Sequence, residues 1–401
     1  MMTKGFKNEI RRDKCPGCGR RAVDVFYHAK SVPANTCVRL ETRALAFDCA
    51  KGDISLGFCH DCGLIYNVCF NEALVEYSPM YDGSQGFSRE FNEFHADLAG
   101  ELIKAYELRG KKILEIGCGK GEFLKMMCEM GGNEGVGFDP AWTPCAGDEE
   151  KNRRIVFVRD FYSEKYSDVD ADFLICKMTL EHIVDPLVFL SMLKKSLDHS
   201  DRAVVFFMVP DASRIFRYCA FEDVYYEHCS YFSPRSLSFL FENAGFETLD
   251  IASLYGGQYI GLTAKPGSGV SRGVFPTEEQ IHPLRSWTRS FHVKFTEKRL
   301  FWEKKTGENN ANQKKTVLWG AGSKAAAFLH SVNAGKLIEF VVDINPFKQN
   351  HHMPGSGQKI VGPDFLTKYR PDCVVVMNPI YCDEISARLD DMGLSPELIA
   401  L

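Results

Sequence analysis

Apolar residues recur along this chain in two rhythms, one near 3.6 and one of short continuous runs, and their order predicts an α/β protein. From Leu98 to Leu108 the spacing is helical. Lys111-Lys-Ile-Leu-Glu-Ile-Gly-Cys-Gly-Lys-Gly-Glu-Phe-Leu then reads as strand, glycine loop and helix, and Gly135-Val-Gly-Phe-Asp139 as a second strand. Asp172-Phe-Leu-Ile-Cys-Lys and Ala203-Val-Val-Phe-Phe-Met-Val-Pro read as further strands, and Ser233-Pro234 opens a helix that stops near Gly245. Lys265 to Gly273 is rich in glycine and serine, as expected of a boundary. Ile281 to Lys305 mixes aromatic and apolar residues with Lys, Arg and Glu, which predicts one long surface helix bridging to the next domain. Thr316-Val-Leu-Trp-Gly320-Ala-Gly322-Ser-Lys-Ala325 repeats the strand, glycine loop and helix pattern, and Phe340-Val-Val-Asp343 closes another strand.

A length of 401 residues accommodates two to three such units. The expected divisions are 1–75, 76–265 and 266–401. Forty-eight basic against 53 acidic residues give a net charge of -5, which argues against a chain-wide basic face for nucleic acid or anionic lipid. Met1 to Lys14 is polar with no apolar core, and the longest apolar run, Ala203 to Pro210, is too short to span a membrane. A cytoplasmic protein is expected, a monomer or weak dimer, with neither nucleic acid nor membrane as partner.

The 15 cysteines are diluted over a long chain, so reduced thiols or metal ligands are expected rather than disulfides. Cys15-Pro-Gly-Cys18-Gly and Cys59-His-Asp-Cys62-Gly form two C-x-x-C-G pairs. The glycine lets each pair turn tightly, so four thiolates can surround one ion. A complete Zn-S4 shell leaves no open position, which makes the expected Zn2+ structural. His60, inside the second pair, is expected to point outward.

Gly117, Gly119 and Gly121 remove side chains at the point where the following helix exposes free amides, so a ligand can lie against the backbone there. Asp139, at the tip of the neighbouring strand, is placed to accept ribose hydroxyls. Glu115-Ile-Gly-Cys-Gly-Lys-Gly resembles motif I of class I S-adenosylmethionine (SAM) methyltransferases. That resemblance implies a doubly wound sheet, with Glu115 near the methionine ammonium of the cofactor. It further implies Asp160 and Phe161 at the adenine and Glu181 and His182 in the loop beside the sulfonium.

Phe221-Glu-Asp-Val-Tyr-Tyr-Glu-His-Cys-Ser-Tyr-Phe-Ser-Pro crowds polar-tipped groups before a helix. It resembles the Tyr-x-Glu-His-x-x-Tyr-Phe-Ser motif of nucleotide-sugar C-methyltransferases. Carbon becomes nucleophilic only after a proton beside a carbonyl is removed, so such an enzyme needs a base near neutrality and donors for the enolate oxygen. The resemblance implies His228 as base, Glu227 orienting it, Tyr225 and His182 stabilising the enolate, and Tyr77 and Tyr81 over the sugar. Tyr226 departs from the family pattern, where a second histidine is common, and is expected to bear on which sugar fits. The implied substrate is a nucleotide-linked 4-keto-deoxysugar.

The Gly320 loop followed by Asp343 matches a dinucleotide fingerprint and supplies a rival reading, an NAD-dependent oxidoreductase. An O- or N-methyltransferase is the other alternative. Asp343-Ile-Asn-Pro-Phe-Lys-Gln, with Met353-Pro-Gly and the strand Asp372-Cys-Val-Val-Val-Met-Asn-Pro, resembles instead the Rossmann-like C-terminal domain of the sugar C-methyltransferases. The paired histidines His351 and His352 are expected to be loop residues.

Overall fold

The computed structural model describes residues 12–144, 154–197, 203–268 and 273–401. Its strands form three sheets, and each places part of one cleft. The first contains β1 (Val23–Pro33), β2 (Lys51–Cys59) and β3 (Ile65–Asn67), joined antiparallel. Its fourth strand comes from far along the chain: β9 (Ser230–Tyr231) pairs with β3 through Ile65 opposite Tyr231 and Tyr66 opposite Ser230. The two cysteine pairs flank this sheet in matching turns. Gly19 and Gly63 sit at φ +74° and +75°, and their N–H groups donate to the carbonyls of Cys15 and Cys59 at 2.8 and 2.9 Å.

The second sheet carries β4 (Lys112–Ile116), β5 (Glu134–Phe138), β6 (Ile155–Val158), β7 (Phe173–Lys177), β8 (Val204–Pro210), β10 (Phe246–Leu254) and β11 (Tyr259–Pro266). Their order is β10-β11-β8-β7-β4-β5-β6. Strands β4 to β8 run parallel, while β11 is antiparallel to both β8 and β10. This is the class I methyltransferase sheet. Its central strands are apolar on both faces because helices cover both, and the order reverses at β4, so the crevice opens at the carboxyl ends of β4 and β7. The helices Arg89–Ala105 and Glu122–Gly131 line that crevice with Phe91 and Gly117 to Glu122 nearby.

The third sheet is wholly parallel: β12 (Thr316–Trp319), β13 (Phe340–Val342), β14 (Lys359–Val361), β15 (Cys373–Val376) and β16 (Glu397–Ala400), in the order β14-β13-β12-β15-β16. The helix Ser323–Ser331 follows β12 directly. The bridging helix is longer than the sequence predicts, 34 residues from Glu278 to Ala311, and it is not confined to the surface. Ile281, Leu284, Phe291 and Trp302 are buried. The Phe291 ring meets Tyr27 and Phe216 edge-on at 5.2 and 5.1 Å, and Trp302 meets Phe328 at 5.4 Å. One apolar cluster therefore joins Leu56 and Tyr231 of the first sheet, Phe291 of the bridging helix and Leu318 of the third sheet. Of the expected boundary at Lys265 to Gly273, Lys265 and Pro266 belong to β11, and 269–272 lie outside the described residues. Among the described residues no helix is long and apolar enough to cross a membrane.

The seam between the first sheet and the β9 segment is tightly packed. A Cβ on Gly52 would stand 2.2 Å from the Tyr226 ring, whose hydroxyl is held by both backbone groups of Asn71. Gly52→Ala should cost about 1–3 kcal/mol by overpacking, and Gly52→Ala paired with Tyr226→Leu should recover much of it. Denaturant unfolding of the single and double variants checks this, and equal losses in both would contradict the steric account.

Candidate active site

The crevice above β4 and β7 opens into a cleft of about 670 Å³ that also touches the third sheet. Gly117 and Gly119 line one end, Gly320 and Gly322 the other, and Tyr77, Tyr81, His182, Tyr225 and His228 lie between. Both glycine loops are built in the same way. The acid ending the neighbouring strand accepts from a loop amide: Asp139 Oδ2 from Gly119 at 2.9 Å, and Asp343 Oδ2 from Ala321 at 2.7 Å. The other oxygen of each accepts from an amide two residues on, Ala141 and Asn345. Gly117 is required on two counts. Its φ is +71°, and a Cβ there would lie 2.0 Å from the Thr179 hydroxyl.

The Tyr-Tyr-Glu-His segment is threaded so that its side chains separate. Tyr225 and His228 face the cleft with their ring centroids 4.1 Å apart. Tyr226 points away, buried and stacked on Phe70 at 5.1 Å, so it does not line the cleft and is a packing residue rather than a determinant of sugar fit. Glu227 also points away. Its Oε1 accepts from the Thr36 amide at 3.0 Å and its Oε2 from the Thr36 hydroxyl, which ties the motif to the first segment. Burial nevertheless pushes its carboxyl up to about 7. Glu227 therefore does not orient His228, contrary to the expectation.

His228 is 3% exposed, and burial, with His182 and Lys324 nearby, holds it well below the ordinary imidazole range. It is neutral at neutral pH, with a free lone pair. Its Nδ1 has no partner, and its Nε2 lies 4.0 Å from Glu181 Oε1. His182 packs edge-on to it at 4.9 Å, and Tyr77 Oη hydrogen-bonds His182 Nδ1 at 2.8 Å. Burial lowers His182 to about 4, opposed by a hydrogen bond to the Glu227 backbone. Tyr81 packs on Tyr77 at 5.3 Å. Burial raises the Tyr225 hydroxyl well above the usual phenol range, so it remains a donor.

Two expected cofactor acids sit elsewhere. Glu115 does not line the cleft: its Oε1 accepts from Lys177 Nζ at 2.8 Å, behind the glycine loop. Lys177 does line the cleft, and its ammonium also lies 4.1 Å from the Phe123 ring centroid. Glu181 lies behind His228, buried, with both carboxylate oxygens unpartnered. Asp160 and Phe161 stand at the mouth. Phe161 is 62% exposed, and Asp160 accepts from Tyr166 at 2.6 Å and Lys165 at 3.1 Å.

Lys177, Thr36, Lys324 and Lys348 escape the sequence reading. Lys177 ends β7, two positions beyond Ile175, the residue paired with Glu115 on the neighbouring parallel strand. Thr36 sits in an irregular segment with no pattern to mark it. Arg214 and Lys324 both pair with Asp223, Arg214 at 3.0 Å, and Lys348 approaches Asp343 at 3.9 Å; all three cations line the third-sheet end of the cleft.

Away from the cleft, the sulfurs of Cys15, Cys18, Cys59 and Cys62 lie within 4.8 Å of one another, with Cys15 and Cys62 at 3.5 Å and Cys18 and Cys59 at 3.6 Å. Four convergent thiols fit a tetrahedral thiolate site. His60 turns outward to Asp24 at 2.7 Å.

Residues 88–251 match the methyltransferase domain family, and residues 280–395 match the C-methyltransferase C-terminal domain family. Among curated proteins, the C-methyltransferase NovU of Streptomyces niveus is 26% identical over 190 residues, which is 45% of this chain and 45% of that protein. This chain thus spans less than half the length of that relative. A tRNA U34 carboxymethyltransferase of Helicobacter pylori is 28% identical over 176 residues, 41% of this chain and 67% of the relative. Among solved structures, the Burkholderia thailandensis 1,6-didemethyltoxoflavin-N1-methyltransferase, with bound S-adenosylhomocysteine, is 16% identical at a TM-score of 0.35, over 46% of this chain and 83% of that one.

The Glu181 carboxyl has a direct consequence for stability. Burial raises it from 4.5 to about 8, so the folded chain keeps a proton that the unfolded chain has released, and stability is lost as pH rises through that window. Glu181→Gln should gain on the wild type by on the order of 1–3 kcal/mol between about pH 5 and pH 8. Unfolding midpoints measured across that range check it. A difference that does not change with pH would contradict the buried, unpaired carboxyl.

Proposed function

We propose that this chain, whose middle and last thirds match a methyltransferase domain and a C-methyltransferase C-terminal domain, is a SAM-dependent C-methyltransferase acting on a nucleotide-linked 4-keto-deoxysugar. The observation that carries the reading is His228: a neutral, buried imidazole that lines the cleft shared by both glycine loops.

The residues present fit the cofactor. The open loop at Gly117 to Gly121, with the amides of the Glu122 helix behind it, is shaped for a ligand pressed against backbone. Asp139 keeps lone pairs for ribose hydroxyls, and Phe161 is free to cover an adenine. Lys177, rather than Glu115, lines the cleft, and it suits the carboxylate of the methionine moiety. SAM supplies an electrophilic methyl group on a sulfonium.

His228 takes a proton from the carbon beside the sugar carbonyl. The C–H bond breaks and its electron pair moves onto the carbonyl oxygen, where Tyr225, held protonated by burial, donates to the developing charge. The tyrosine pair Tyr77 and Tyr81 closes over the site, and Tyr77 fixes the His182 ring. At the far end, the uncapped N-terminus of the Ser323–Ser331 helix, with Lys324, Lys348 and Arg214, suits a diphosphate. The Cys15, Cys18, Cys59 and Cys62 site takes one structural Zn2+, and its role is to hold the sheet on which the motif segment is mounted.

Three measurements test this. Incubated with a 4-keto-deoxysugar nucleotide in deuterated water, the enzyme should exchange the hydrogen beside the carbonyl, and His228→Asn should slow that exchange by about 10²–10⁴-fold; methylation of a hydroxyl by an enzyme that catalyses no exchange would overturn the carbon chemistry. Gly117→Ala should weaken S-adenosylhomocysteine binding at least about ten-fold by calorimetry, given the clash of its Cβ with Thr179, and unaltered affinity would contradict the placement. Elemental analysis should find one zinc per chain, lost in a Cys18→Ala, Cys59→Ala variant together with much of the folded signal, because zinc binding and folding are coupled. A metal-free, fully folded wild type would remove the ion from the account.

A further inference from the structure

The short turn after β7 and the segment before β9 bring together three metal-ligating side chains. Glu181 and His182 end the turn Leu180–His182. One donor atom of each lies within 4.8 Å of the other and of a donor atom of His228, the same span that gathers the four cysteine sulfurs. Glu181 is 1% exposed, and neither of its oxygens has a hydrogen-bond partner. A buried carboxylate with no donor is costly unless a proton or a cation meets it. Its Oε1 lies 4.0 Å from His228 Nε2. That gap is too wide for a hydrogen bond, and it suits an ion whose bonds to imidazole nitrogen and carboxylate oxygen are each about 2.0–2.2 Å. His182 is steadied from outside the group by Tyr77 Oη, 2.8 Å from its Nδ1, the kind of outer contact that orients a ligating imidazole. The neighbouring polar groups are engaged elsewhere: Lys324 is paired with Asp223, Glu227 is held by Thr36, and the Cys229 thiol donates to the Glu181 carbonyl at 3.3 Å.

We propose that Glu181, His182 and His228 form a second metal site, which takes an exchangeable Zn2+ and so switches the base off. Two imidazoles and one carboxylate are a donor set that zinc accepts, and three protein ligands leave a fourth position open. The cysteine site differs in kind. Its four thiolates close the shell around a structural ion, whereas the harder, three-ligand set holds its ion more loosely and lets it exchange with free zinc. Binding draws the donors in from the 4.0 Å gap and takes from His182 its bond to the Glu227 backbone. The buried carboxylate gains a counter-ion. The switch rests on the reading of His228 as base, because a nitrogen lone pair committed to zinc cannot accept a proton from carbon; the metal site itself does not depend on that reading.

The test uses the full-length chain, its Glu181→Gln variant and Zn2+ itself. After equilibrium dialysis against dilute zinc chloride, elemental analysis should find one more zinc per chain in the wild type than in Glu181→Gln. A weak chelator that leaves the cysteine site filled should remove that difference. By calorimetry the variant should bind this second zinc at least about ten-fold more weakly, while its S-adenosylhomocysteine affinity, measured without added zinc, matches the wild type and shows the fold intact. Cobalt added to chain whose cysteine site already holds zinc should give visible d–d bands without a thiolate charge-transfer band, and those bands should be missing from Glu181→Gln. With a 4-keto-deoxysugar nucleotide in deuterated water, zinc should slow wild-type exchange about ten-fold or more, reversibly on chelation, and should leave the rate of Glu181→Gln unaltered relative to the same variant without zinc. Equal zinc content in the two chains would overturn the site. A second zinc that left wild-type exchange unchanged, or quickened it, would overturn the switch. Absence of exchange in the wild type with or without zinc would contradict the role of His228 as base, and the zinc content and cobalt spectrum would still decide whether the site exists.

Discussion

The short ladder between β3 and β9 is the constraint on which the site depends. Two residues, Ser230 and Tyr231, join the sheet of the cysteine-rich segment, and a bridge from Asp211 to Phe232 ties the next position to the end of β8. The segment just before them is stretched between two sheets and cannot slide. Side chains alternate across the ladder itself, and the turn at Tyr226 and Glu227 just before it sends those two side chains to the first segment while Tyr225 and His228 face the cleft. The cysteine knuckles, the Glu227 to Thr36 bonds and the packing of Tyr226 over Gly52 all bear on the same point, holding the edge that receives β9.

Burial does the electrostatic work. A dry pocket keeps His228 and His182 neutral and keeps the Tyr225 hydroxyl protonated, so base and donors stand in their reactive forms at neutral pH. The same desolvation costs stability at Glu181, which carries no compensating hydrogen bond. Buried polar groups of this kind persist where function requires them. The cation cluster at the other end of the cleft follows opposite rules: Arg214, Lys324 and Lys348 each have an acid nearby and line a helix N-terminus, an arrangement suited to an anionic ligand.

Much of this was legible in the sequence because it rests on local chemistry. The glycine loops, the acids ending their neighbouring strands, the C-x-x-C-G pairs and the sheet class depend on residues close together in the chain. Contacts across long separations were not legible. Glu227 is a neighbour of His228 in sequence, and the inference that it orients the ring is natural, but the turn at Tyr226 and Glu227 sends it to Thr36 instead. Glu115 looked available to a ligand because the strand pairing that brings Lys177 beside it leaves no periodic trace. The helix from Glu278 to Ala311 read as a surface element because its charged residues outnumber the apolar ones. Its buried face, Ile281, Leu284, Phe291 and Trp302, is nonetheless part of the core that joins the first and third sheets.

The central claim is that this cleft makes a carbon–carbon bond at a site activated by His228. The most direct measurement supplies SAM labelled with 13C in its methyl group, together with a 4-keto-deoxysugar nucleotide, and reads the attachment of the label in the product by NMR. The account predicts a labelled methyl bonded to the carbon beside the carbonyl. A labelled methyl bonded to oxygen or nitrogen would contradict it.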